Sequence, residues 1–469
     1  MDGFLEAIEQ GIFKYWVWIL VVILAYLVYI NGWQYDLIKA FLAVFGVYIL
    51  GRIAWRIWVH YVQQDFISGI EFVLLEIVPP REVLRSPKAM ELFITNALYH
   101  WSEKGGREEF WQGAVWFWFS LEIASIDGNV HFYIRTPSRV RGLIETQMYA
   151  QYPQAQVKEV EDYTLAVDKI SADSAWNAWG CEFKLLKPEA YPLKTYVDFG
   201  LDKDPKEEYK VDPISSVVEF FGSLGKGEQA WMQIVVTPSK KTYHTKGTWF
   251  GKHDWVKEAK NEFFKLMKDY TAIKGEPGGK IGKDARIEIR GQPHLDRTIK
   301  AMNTKLAKIG FDTGIRIMYI AKKEVFPVGQ RTNNSRNIRL IFRQYADPEL
   351  NQLWRINSAQ GDAFGSQFFG LSSKQVMLLA DRMLNEYRER SFFHLPLRHH
   401  IVSGFYHKLF WPFSVIFKEI FLPYVHPEIF VLNTEELATL WHFPGQIMKV
   451  PSLTRIESKE ASPPPNLPT

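Results

Sequence analysis

Five of the chain's 12 histidines, His394, His399, His400, His407 and His426, fall in one short stretch, where imidazoles could converge on a transition metal. Glu419 and Glu428 are the acids beside them, and no ligand spacing recurs, so no metal site is expected. The glycine-rich run from Gly275 to Lys283 invites a phosphate-cradling loop. Such a loop needs a glycine five residues before Gly-Lys, so that backbone amides wrap the phosphates, and a Ser or Thr after it to reach magnesium. Lys274 and Pro277 stand at the first position here, and Ile281 and Asp284 at the last. Gly225-Lys226 fails in the same way, with Phe220 and Gly227 at those places. No Gly-x-Ser-x-Gly elbow and no His-Glu-x-x-His helix is present. The sequence therefore predicts no catalytic centre and no cofactor.

Charge is unevenly placed. The net charge is +4, but between Ser239 and Ile309 there are 17 Lys and Arg against 8 Asp and Glu, a local excess of +9. Lys257, Lys260, Lys265 and Lys268 follow one another along an expected helix whose apolar side is Val256, Phe263, Leu266 and Met267. Two readings follow. The lysines face phosphate backbones or anionic lipid headgroups, DNA being one such partner, or they only solvate the helix. Glu258, Glu262 and Asp269 interrupt the field and favour the second.

Two apolar runs lie near the N terminus, Phe13 to Ile30 and Leu37 to Trp58, separated by a polar bend at Asn31 to Asp36. Their lengths suit membrane spans, and aromatic residues cluster near the ends of the first. They predict a transmembrane helical hairpin over residues 1–66. Arg52 and Arg56 at the exit of the second run place the bulk of the chain on the cytoplasmic side of a multi-pass inner-membrane protein. Cys181 is the only cysteine, which excludes an internal disulfide and a cysteine-based zinc site and suits a reducing compartment.

Beyond the hairpin the pattern is α+β. Residues 67–165 read strand, helix, strand, strand, helix, strand, the order of a ferredoxin-like unit, with a two-residue turn at Asp127-Gly128. Residues 166–350 read as a second, looser ferredoxin-like unit carrying the basic insertion 239–309. In it, Asp212-Pro213 opens a helix bearing Ile214, Val217, Val218 and Phe221. Ser138-Arg139-Val140-Arg141 and Ser335-Arg336-Asn337-Ile338-Arg339 stand at matching places in the two units. Residues 351–452 read as a helical, aromatic-rich segment, and residues 453–469 as a disordered proline-rich tail. Within the former, Asn433 to Gly445 reads as a capped short helix stopped by Pro444-Gly445. Its Leu437, Leu440, Trp441 and Phe443 are candidates for a partner contact, or for packing on their own domain.

Leu75-Glu76-Ile77 with Ser86-Pro87, Phe132 to Pro137 and Tyr149-Ala150-Gln151-Tyr152-Pro153 resemble the membrane-attached N-terminal region of coupling-protein-like ATPases. Such ATPases serve type IV secretion and conjugation systems of candidate-phylum bacteria. Leu432 to Pro444, Ile456-Glu457-Ser458-Lys459 and Pro465-Asn466-Leu467-Pro468 resemble the last part of that region. In the family, this proline-rich segment leads into a RecA-like ATPase domain, whereas here the chain stops at Thr469. The resemblance implies a non-catalytic, membrane-anchored subunit of a secretion-like apparatus that holds a separately encoded ATPase at the cytoplasmic face, with oligomerisation open. Two other classes remain: a membrane protein that binds nucleic acid or anionic lipid, and a membrane enzyme whose site is dispersed along the chain.

Overall fold

The structure is a computed structural model that describes residues 34–80, 83, 85–99, 105–202, 211–239, 243–244, 252–273, 287–289, 293–328, 332–358, 373–390, 392–393 and 428–445. The chain divides into two compact units, Met1–Ser68 with Lys104–Val115, and Gly69–Glu103 with Trp116–Thr469. Phe13 to Ile30, Gly275 to Lys283, the five clustered histidines and the tail from 453 onward lie outside the described residues.

The described part of the first unit is built on one helix, α1 (Gln34–Ser68), with a short helix Gly106–Phe110 laid beside it. No helix among the described residues is long and apolar enough to cross a membrane, which overturns the transmembrane hairpin and the multi-pass inner-membrane assignment that rested on it. The apolar run at Leu37 to Trp58 does not end at the arginines, because the helix continues past them to Ser68. Lys39, Arg52, Arg56 and Asp65 punctuate it, and its longest uncharged stretch, Ala40 to Gly51, is only 12 residues. A spanning helix needs about 20 predominantly apolar residues.

The second unit is organised by one antiparallel sheet of nine strands. They are β1 (Phe72–Val78), β2 (Phe119–Ile126), β3 (Asn129–Pro137), β4 (Gln156–Val160), β5 (Trp176–Leu185), β6 (Glu228–Pro238), β7 (Gly310–Lys322), β8 (Leu353–Ile356) and β9 (Phe430–Asn433). The order is β8-β5-β7-β6-β2-β3-β1-β4, with β9 beside Gly310 to Thr313 of β7, where β5 has ended. This corrects the expectation of two ferredoxin-like units. The two runs of strands do not close separate sheets: β2 and β6 pair along their length, from Phe119↔Val236 to Ile126↔Gln229. Both strands are buried on both faces, so neither can serve as the edge that a separate unit would require. β9 is a further correction, a strand inside a segment expected to be helical.

Local chemistry explains the elements around the sheet. Asp127 and Gly128 both take positive φ, 53° and 86°, the geometry of the tight turn that joins β2 to β3. Helices α2 (Lys88–Phe93), α3 (Arg141–Gln151), α4 (Pro213–Gly222) and α8 (Thr434–Leu440) supply Met90, Phe93, Ile144, Met148, Val217, Phe221 and Leu437 to one large apolar core. Asp212 caps α4 by accepting from the Ile214 amide, and Asn433 with Glu436 forms a reciprocal capping box on α8. In the insertion, α5 (Trp255–Tyr270) and α6 (Pro293–Ala307) pack through Trp255, Ala259 and Met302 against Val431. The opposite side of the sheet carries a separate core in which α7 (Ser373–Glu389) places Ala380, Met383, Leu384 and Tyr387 among Trp231, Met318 and Ile320.

Two strand glycines let α7 and the residues after it lie close to the sheet. A Cβ on Gly180 would fall 2.5 Å from Met383 Sδ, and one on Gly314 would fall 2.3 Å from ring atoms of the buried Phe392. Gly314→Ala is expected to destabilise the fold by about 1–3 kcal/mol through overpacking, seen as a lower denaturation midpoint with an unchanged slope. Gly142→Ala, at an exposed helical position with open space around its Cβ, is the control and should leave the midpoint unchanged or raise it.

Candidate functional site

A row of buried polar side chains runs across four central strands of the sheet. Strand register brings Glu122 of β2 opposite Gln233 of β6, Gln233 opposite Arg316 of β7, and Arg316 opposite Glu182 of β5. All four are fully buried. Because side chains alternate along a strand, their apolar neighbours point to the large core while these four point towards α7.

At one end, Glu122 accepts five hydrogen bonds. Ser120 donates at 2.5 Å, Gln233 Nε2 at 3.1 Å, Arg390 Nε at 3.0 Å and Nη2 at 3.2 Å, and the Tyr163 hydroxyl at 2.8 Å. Arg390 also pairs with Asp162, so its fork is shared between two carboxylates. At the other end, Arg316 donates to Glu182 through Nε at 3.1 Å and Nη2 at 2.5 Å, and to Glu386 at 3.4 Å. Its guanidinium carbon lies 4.4 Å from the centroid of the Phe392 ring. Asn357 donates to the other oxygen of Glu182 at 2.6 Å, and Arg382 donates to Glu386 at 3.0 Å. Gln233 joins the ends: its amide nitrogen faces Glu122 and its oxygen faces Arg316 Nη1 at 3.5 Å.

The row is reached by strained backbone from both sides. Asn357 and Arg390 have φ of 50° and 51°, the left-handed region, which non-glycine residues occupy only when the surroundings hold them there. Each sits just beyond the end of its element, β8 or α7, and each inserts a polar side chain into the row. Tyr163 stacks on Tyr133 at 4.8 Å and meets Trp231 edge-on at 5.2 Å, closing the Glu122 end with aromatic rings.

Protonation follows from these contacts. Burial opposes ionisation of Asp162, but the hydrogen bonds and charge of Arg390, with help from Thr164, outweigh it and hold the carboxyl below its ordinary value. Glu182 moves the other way: burial raises it, Arg316 and Asn357 pull it down, and the second carboxylate, Glu386, pushes it up. Arg390 is held firmly protonated, since the charges of Glu122 and Asp162 overcome the burial that would lower it. Burial lowers Arg135 to about 10, with the neighbouring Arg390 charge adding to the effect. The arrangement is suited to clamping two elements onto a sheet. It leaves no fully buried carboxylate, guanidinium or hydroxyl of the row turned outward towards a reactant.

The residues singled out from sequence lie elsewhere and fall into two groups. Lys257, Lys260 and Lys265 are exposed on α5, with Lys265 paired to Glu262 at 3.8 Å, and the side chain of Lys268 is outside the described residues. The local excess of cations is smaller in effect than its count. Arg297 pairs with Asp347 at 2.9 Å, Lys305 is buried against Glu436 at 3.0 Å, and Lys308 binds Glu91 and Glu435, each at 2.6 Å. Leu437, Leu440, Trp441 and Phe443, the candidate partner contact, are all buried in the large core. Trp441 meets Phe132 and Phe443 edge-on or tilted, and its Nε1 donates to the Glu122 carbonyl at 3.2 Å. Packing on their own domain is what these four residues do, and they offer no apolar surface to another chain.

The sequence did carry a signal for the row. Leu121-Glu122-Ile123, Cys181-Glu182-Phe183, Met232-Gln233-Ile234 and Ile315-Arg316-Ile317 each set one polar residue in an otherwise apolar strand centre. Four such interruptions in neighbouring strands mark a buried polar layer, since a lone buried charge would be prohibitive.

Arg390→Ala removes a cation shared by two carboxylates and is expected to cost about 3–5 kcal/mol, measured by chemical denaturation. The row also predicts a pH dependence. The folded-state value of Asp162 lies below the unfolded value of roughly 3.9, so its contribution is complete above that pH and is lost as pH falls through the folded value. Asp162→Asn should flatten the acid-side decline in stability relative to the unmodified chain. An unchanged decline would place the acid sensitivity in other groups.

No curated protein matches the chain. Residues 114–406, more than half of it, match a family described as Domain of unknown function (DUF8128), a description that carries no assignment to secretion or conjugation. That match takes in β2 to β8, α7, Arg390 and the whole buried row, and the chain belongs to this family of unknown function.

Proposed function

We propose that the chain is a non-catalytic assembly subunit that holds a RecA-like ATPase. The observation that supports this reading is the fate of the charged groups at the centre of the second unit. Glu122, Glu182, Arg316 and Arg390 are fully buried and engaged with one another and with their neighbours, which serves rigidity and leaves none of them poised for acid–base or nucleophilic work. The resemblance of Leu432 to Pro444 and of Phe132 to Pro137 to the N-terminal region of coupling-protein-like ATPases supplies the identity of the partner. Those two stretches touch one another in the fold, through Phe132 against Trp441 and Phe443, so the resembling residues form one packed piece of the scaffold.

Affinity purification of the full chain from its native cells is expected to bring down an ATPase that contains a phosphate-binding loop, and the purified chain alone is expected to hydrolyse no ATP. Hydrolysis by the chain alone, or the absence of such an ATPase from every preparation, would remove the reading.

A second reading, nucleic-acid binding, rests on α5. Lys257, Lys260 and Phe264 are exposed and recur at helical spacing on one side of it, so cations stand beside an aromatic ring that a base could stack on. This reading predicts that the full chain binds oligonucleotides with an affinity that falls steeply with salt. Replacing Lys257, Lys260, Lys265 and Lys268 with Gln is expected to weaken binding at least tenfold. Binding that ignores salt, or survives the replacements, would assign these lysines to solvation alone.

A further inference from the structure

We infer that the aromatic cluster of the first unit is a docking surface for a polyproline segment, and that its occupant is Pro463 to Pro468 of a second copy of this chain. The inference goes beyond the proposed function and does not depend on it. Trp55, Trp58 and Tyr61 project from α1, and Phe110 and Trp111 from the segment laid beside it. Their rings form a continuous path: Trp55 to Phe110 at 5.8 Å, Trp55 to Trp111 at 6.5 Å, Trp58 to Trp111 at 5.8 Å and Trp58 to Tyr61 at 6.4 Å. Trp111 meets both other indoles at steep angles, 77° and 64°, so ring faces and edges meet in corners and do not form a flat stack.

The cluster is rigid and open at once. Trp58 Nε1 donates to the Phe110 carbonyl at 3.2 Å, fixing the indole. Gly113, with φ of 67°, brings the chain so close to α1 that a Cβ there would lie 2.0 Å from the Val62 carbonyl oxygen. Yet all five rings are more than a third exposed, and Trp111 is 62% exposed. Aromatic side chains held in place and left uncovered are what polyproline-binding surfaces present, because proline rings fit between ring faces. A proline-rich ligand also has little conformational freedom left to lose on capture.

The chain itself supplies such a ligand. Ser462-Pro463-Pro464-Pro465-Asn466-Leu467-Pro468 holds four prolines in six consecutive positions, 463–468. In the polyproline conformation, residues three apart fall on the same edge, which aligns Pro465 with Pro468, and the segment extends about 16 Å. That length covers two of the ring-to-ring steps above and part of a third. Leu467 falls three residues after Pro464 and adds an apolar side chain on a second edge.

The receptor for the test is the full chain with Pro463, Pro464, Pro465 and Pro468 replaced by Ala, whose own tail no longer competes. A fluorescein-labelled peptide of residues 458–469 is expected to bind it in fluorescence polarisation, and the same peptide with its prolines replaced by alanine is not. Trp111→Ala in that receptor is expected to weaken binding at least tenfold, and Trp111→Phe, which keeps a ring, to weaken it less. Unchanged circular dichroism separates lost binding from lost folding. The unmodified chain is expected to self-associate in analytical ultracentrifugation, and both the proline-replaced chain and the Trp111→Ala chain to sediment as monomers at the same concentration. No peptide binding, binding indifferent to Trp111, or a monomeric unmodified chain would overturn the proposal. So would retention on phosphatidylcholine vesicles through these rings in place of peptide binding, which would make the surface a lipid contact.

Discussion

Glu122 and Arg316 are charged residues at the centres of two hydrophobic strands with β6 between them, and the architecture around them follows from the need to neutralise both. An ion moved from water into a protein interior loses several kcal/mol of solvation even after relaxation, and only close opposite charge with full hydrogen bonding restores it. Neither residue finds enough within its own strand pair. Glu122 relies on Arg390, which follows α7, and Arg316 relies on Glu182 from β5 and Glu386 from α7. The sheet therefore cannot be complete without the segment from 373 to 393, although that segment lies far along the chain.

This dependence explains why α7 approaches so closely. A guanidinium can satisfy a buried carboxylate only at hydrogen-bond distance, and the helix and the residues after it reach that distance because Gly180 and Gly314 remove the side chains that would hold off Met383 and Phe392. The left-handed backbone at Arg390 has the same origin. Its strain, of order 1–3 kcal/mol, is smaller than the cost of leaving Glu122 and Asp162 without a cation. Balance extends through the neighbourhood: Glu122, Asp162, Glu182 and Glu386 face Arg316, Arg390 and Arg382, with the Arg135 guanidinium over the Phe72 ring beside them. Each residue of the row thus matters chiefly for what its loss would do to the others.

Local signals were legible in the sequence, and long-range consequences were not. The turn at Asp127-Gly128, the cap at Asp212 and the box of Asn433 with Glu436 follow from side chains acting on their own backbone, so a single stretch suffices to read them. The pairing of β2 with β6 joins residues more than a hundred positions apart, and an alternating apolar pattern does not say which strand lies next to which. The same limit left Leu437, Leu440, Trp441 and Phe443 open between two readings, because an apolar helical face reads alike whether it meets its own core or a partner. For α1, Arg52 and Arg56 read as the end of a span, whereas the helix continues past them to Ser68. The buried row was hinted at by single polar residues inside four strands, but its partners Asp162, Glu386 and Arg390 carry no comparable mark.

The placement of the row has a consequence for the unit as a whole. The strands on either side of the β2–β6 pairing show the same order, fourth, first, third and second, counted within each set of four, so the sheet is two similar halves joined at their second strands. Backbone pairing alone would permit such halves to slip in register or to pair with other copies through the same edges. Glu122 lies on one side of that seam and Gln233 directly opposite it on the other, linked at 3.1 Å. A slip of β2 by one residue against β6 would turn Glu122 towards the large apolar core and away from Gln233 and Arg390, leaving a buried carboxylate without its donors. The polar row therefore fixes the register of the seam more stringently than the apolar residues can, since a displaced methyl group finds another apolar neighbour while a displaced carboxylate does not.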